Sequence, residues 1–83
     1  MNTKFDFEEG KRLCNAAVNF SDAMQDVLIE KLQQGYKGWD DPDVLSDSDL
    51  LAKFMKLIGE SKDIASDAVD IANFAMFMWY RRK

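Results

Sequence analysis

The chain contains no histidine. That absence excludes Ser-His and Cys-His nucleophiles and histidine-ligated metal sites. A single cysteine, Cys14, excludes an intrachain disulfide and suits a reducing compartment; it reads as a small packing hydrophobe. Positive charge is also short: 11 basic against 15 acidic residues give a net charge of −4, which argues against nucleic-acid binding through phosphates. The longest apolar run, Ile71 to Tyr80, is too short to span a bilayer, and MNTKFDFEEGKR has no apolar signal-peptide core. A cytoplasmic protein with no membrane partner is expected, in a host cytoplasm if the origin is viral. No strand pattern, repeat or low-complexity tract is visible.

What is present is helical periodicity. Asp6 and Glu9 read as a capping box, and a helix runs from about residue 6 to 34. Leu13, Ala16, Ala17, Phe20, Ala23, Met24, Val27 and Leu28 form one apolar stripe; Cys14, Val18, Ile29 and Leu32 form a flanking one. Gly35 stands in the C′ position, and residues 35 to 46, with two glycines and the only proline, form a structured loop. Ser46 caps the next helix. From about residue 47 to 81 the apolar phase runs unbroken, with Leu50, Phe54, Leu57, Ile64, Ala68, Ile71 and Met78 on one side. One long helix is the expected reading, and a hairpin with Gly59 as its C-terminal cap is the competing one. The chain reads as one all-α domain of residues 1–83, two long helices and a loop. At 83 residues and 47% hydrophobic it has more apolar surface than a small monomer hides, so a helical bundle completed by a homo-oligomer, a dimer or higher, is expected.

Two groups of residues could carry chemistry. Glu60, Asp63, Asp67 and Asp70 would share an arc of about 80° on a continuous helix, and such carboxylates suit Mg²⁺. A solvated acidic face balanced by Lys53, Lys56 and Lys62 is the alternative. In the loop QGYKGWDDPD, Lys37 could meet a phosphate and Tyr36 or Trp39 could stack on a base. A connector whose Trp39 plugs the core is the alternative there.

The order KLQQGYKGWDD, LLAKFMKLIGE, DAVDIANFAMF resembles small phage proteins of the MazG-like, all-α nucleoside triphosphate pyrophosphohydrolase superfamily, over roughly residues 30 to 80. Members cleave nucleoside triphosphates to monophosphate and pyrophosphate, using Mg²⁺ held by an E-x-x-E and an E-x-x-D motif, and usually assemble as dimers or dimers of dimers. The resemblance implies Glu60, Asp67 and Asp70 as metal ligands and Asn73 as a ligand-binding or orienting amide, against an amide that merely ties two helices. Leu57 stands where the first motif has a glutamate. The expectation is therefore a non-catalytic protein that binds or sequesters a nucleotide or nucleotide signal, with no catalytic residue assigned. An Mg²⁺-dependent pyrophosphohydrolase is the alternative. A small acidic phage anti-defence protein acting on a host defence protein is the third.

Overall fold

The structure, a computed structural model, describes residues 6–82. Three helices follow in order: α1 (Phe7–Gln33), α2 (Asp47–Glu60) and α3 (Ile64–Arg81). No strand occurs among the described residues, so the chain is all-α as its periodicity predicts. Asp6 caps α1, its side chain accepting a hydrogen bond from the Glu9 amide at 3.0 Å. At the far end the Tyr36 amide reaches the Lys31 carbonyl and the Gly35 amide the Leu32 carbonyl. This double closure needs a left-handed residue, and Gly35 supplies it with φ +93°.

The long helix expected over 47–81 is broken. Ser61 has left helical geometry (ψ 126°), and Asp63 starts α3 as its N-cap, accepting from the Ala65 amide and the Ser66 hydroxyl. These bonds, the Ser66 hydroxyl first, hold the Asp63 carboxyl below its usual pKa. Periodicity could not show the break. Ser61-Lys62-Asp63 is three residues, about 300° of helical phase, so the stripe resumes nearly in register while the chain reverses. Nor is Gly59 a left-handed cap. It lies inside α2 without a positive φ, and a Cβ there would meet nothing within 4 Å. Gly59→Ala should therefore be neutral or stabilise by up to about 1 kcal/mol in chemical denaturation.

α2 and α3 form an antiparallel hairpin. Its open end is tied by Arg81, whose guanidinium meets the Asp47 carboxylate at 2.9 Å, and its closed end by the Ser61 hydroxyl donating to Asp67 at 2.6 Å. α3 is the central element. It packs against both α2 and α1, which are not packed directly on each other. Burial is sparse: among the described residues only Leu50 (1% exposed) and Asn73 (4% exposed) are buried. Both touch α3 packing, Leu50 from α2 and Asn73 from α3 itself.

Candidate functional site

The loop after α1 is held in one shape by its own backbone and by Arg81. Gly38 has φ +89° and lies so close to Val44 that an added Cβ would collide with its side chain. Asp41 closes the next turn: its carbonyl accepts from the Val44 and Leu45 amides, and its carboxylate accepts from the Asp43 amide at 2.9 Å. Arg81 donates to the Trp39 carbonyl at 3.2 Å and the Leu45 carbonyl at 2.7 Å, pinning both ends of this turn on the end of α3. Trp39 then packs between Phe77 (centroids 5.0 Å, near-parallel) and Tyr80 (5.0 Å, edge-on). One face of the indole is thus already covered, as in the core-plug reading of this loop.

Between this loop, the end of α1 and the flank of α3 lies a cavity of about 540 Å³. Its walls are apolar: Val27, Leu28 and Leu32 of α1, Leu57 of α2, Phe74 and Phe77 of α3, with Trp39 and Tyr36 from the loop. Three lysines reach its lining from three different elements, Lys31 of α1, Lys37 of the loop and Lys53 of α2. Lys31 lies over the Tyr36 ring, its Nζ 5.2 Å from the centroid. Asp70 and Asn73 complete the lining. A volume in this range, with apolar walls and a few polar groups, suits a ligand of drug or nucleotide size.

Asn73 is the most constrained polar group in the cavity wall. Its Nδ2 donates to the Met24 carbonyl of α1 at 3.4 Å, while its Oδ1 is buried without a partner. The amide ties two helices, and one of its acceptor positions is buried and unused. Leaving a buried acceptor unmet costs about 1–3 kcal/mol.

Of the six residues singled out from sequence, Lys37, Trp39, Asp70 and Asn73 line this one cavity, and Glu60 and Asp67 do not. Asp67 is occupied by the Ser61 hydroxyl. The helix break removes the shared acidic face: Glu60 ends α2, Asp63 is spent as a cap, and only Asp67 and Asp70 remain on α3. No three acidic or cysteine side chains among the described residues gather into a metal-holding group. Asp70 is the one carboxylate among the residues that line the cavity, so the donor set does not fit a resident Mg²⁺.

The sequence reading missed Lys31 and Lys53. Lys53 had been counted only as a counter-charge to the acidic face; its place opposite the loop depends on the reversal at residues 61–63, which the apolar phase conceals. Arg81 was missed too, because a terminal arginine is already explained by the helix dipole. No helix among the described residues is long and apolar enough to cross a membrane. Searches of family models, curated proteins and solved structures return no match for this chain.

Proposed function

We propose that the cavity binds a nucleotide and that the protein holds the ligand rather than hydrolysing it. The observation that supports this reading is that Lys31, Lys37 and Lys53, from three different elements, line one apolar, aromatic cavity of about 540 Å³ in a chain that is acidic overall. Lysines are compact cationic partners for phosphate oxygens. The apolar wall suits a base, and Tyr36 is largely exposed at the rim. The resemblance to MazG-like pyrophosphohydrolases points to the same ligand class. Hydrolysis in that superfamily depends on paired carboxylates around Mg²⁺, and here Asp70 is the one carboxylate lining the cavity. The cation that neutralises phosphate is then protein-borne.

The reading has a sign that separates it from metal-dependent binding. Asp70 shares the cavity with the lysines, so Asp70→Asn removes a like charge facing the phosphate and should leave nucleotide affinity unchanged or raise it severalfold. Were Asp70 an Mg²⁺ ligand, the same change would weaken binding. Lys37→Ala and Lys53→Ala should each weaken binding about 10- to 100-fold, the range for a lost charge-assisted hydrogen bond. Isothermal titration of the three variants decides between the two; unchanged affinity in both lysine variants would remove the site from this cavity.

A further inference from the structure

At residues 36–38 the chain passes from one rigid unit to another. Tyr36 goes with α1: its amide reaches the Lys31 carbonyl, and Lys31 Nζ lies over its ring, 5.2 Å from the centroid. Gly38 goes with the hairpin. Its carbonyl accepts from the Asp41 amide, it sits against Val44, and Arg81 pins the neighbouring Trp39 and Leu45 carbonyls to the end of α3. Lys37 stands between the two and makes no hydrogen bond among the described residues. A change of φ and ψ at one or two such positions is enough to turn two rigid units on each other.

Apart from this link, α1 is held loosely. It packs directly on α3 but not on α2, and none of its residues is buried. Ala23, Met24, Val27 and Leu28 are half-buried, and Asn73 donates to the Met24 carbonyl at 3.4 Å, beyond the usual range for such a bond. The hairpin is fastened better. Ser61 and Asp67 join one end, Arg81 and Asp47 the other, and Leu50 is enclosed. The cavity takes its lining from both of the helices that do not touch, Val27, Leu28 and Lys31 from α1, Lys53 and Leu57 from α2. Its width therefore follows the angle between α1 and the hairpin.

We propose that α1 is a jaw hinged at residues 36–38, whose swing on the α2–α3 hairpin opens and closes the cavity. An occupant that touches both α1 and α2 supplies the contact these helices lack, so occupancy favours the closed angle. On the nucleotide reading, from which this last step follows, a phosphate between Lys31 and Lys53 is that contact. The swing itself needs no nucleotide.

Spin-label distances in the full chain measure the swing. Cys14, exposed and the only cysteine, takes one label on α1, and Met55→Cys, at a position 63% exposed, takes the other on α2. Position 14 lies about 33 Å along the helix from Tyr36, so a swing of about 20° moves it by about 11 Å. In the free protein this lever should make the distance distribution at least about twice as wide as that of a pair within the hairpin, Ser48→Cys with Ala65→Cys in a Cys14→Ser background. Two glycines inserted after Lys37 should widen it further and leave the hairpin pair unchanged. ATP in excess EDTA should narrow it to the hairpin width. A free-protein distribution as narrow as that of the hairpin pair, or one that the insertion does not widen, would overturn the hinge. ATP that binds by calorimetry yet leaves the distribution wide would overturn the closure. ATP that does not bind counts against the nucleotide reading alone, and the free-protein widths still decide the hinge.

Discussion

Replacing Arg81 with alanine is expected to lower stability by about 2–4 kcal/mol, a large share of what a domain of this size possesses. The Arg81 side chain is 5% exposed and serves three acceptors at once: the Trp39 and Leu45 carbonyls and the Asp47 carboxylate. Alanine leaves the two carbonyls without their donor and removes a packed stem. The ion pair itself contributes little, because the Asp47 side chain is 83% exposed and rehydrates when released. Asp47→Asn should therefore cost less than about 1 kcal/mol. Lysine at position 81 cannot reproduce the fork that spans both carbonyls and should fall between the two. Urea denaturation of the three variants measures this ordering. The loss has a functional edge, since Arg81 pins the loop that carries Lys37 and Trp39. On the proposed function, Arg81→Ala should also weaken nucleotide binding, through the loop alone.

Leu50→Ala is the second large effect. Leu50 is the one large side chain among the described residues that is fully enclosed, held at the open end of the hairpin beside Met78 and Arg81. Truncation removes its transfer energy and leaves a void, together about 2–5 kcal/mol. Its neighbour Leu51, 47% exposed, should lose less than about 1 kcal/mol on the same change. A thermal scan should place the two variants well apart, because 1 kcal/mol moves the midpoint of so small a domain by roughly 4–8 °C. Equal shifts for the two would mean that the α2–α3 packing differs from the one described.

The helices were legible wherever local chemistry acts alone. Asp6, Gly35 and Ser46 announce their caps because each meets backbone groups within a few residues of itself. The break at Ser61 was not legible from the apolar phase, and the Asp63 cap, read instead as part of an acidic face, was the local signal overlooked. That one misreading propagated. It placed four carboxylates on one surface, when the hairpin separates Glu60 from Asp70 and carries Lys53 and Leu57 to the cavity instead. Lys37, Trp39 and Asn73, which line one cavity, were singled out because aromatic, cationic and amide residues stand out against their surroundings in sequence. Lys31 and Lys53 look like ordinary surface charges until the fold assembles three elements around one space.

The account rests on that space binding a nucleotide through the protein's own cations. The most direct measurement is a thermal shift of wild-type protein against mono-, di-, tri- and cyclic nucleotides, each in excess EDTA and in excess Mg²⁺, with pyrophosphate release read from the same samples. At a ligand concentration near 100 times the dissociation constant, linkage supplies about 2.7 kcal/mol of stabilisation, roughly 10–20 °C for a chain of this length. A shift of that order for at least one phosphorylated nucleotide, equal in EDTA and Mg²⁺ and without pyrophosphate release, is the expected result. Stabilisation confined to Mg²⁺ with turnover of a triphosphate, or no shift with any nucleotide, would contradict it.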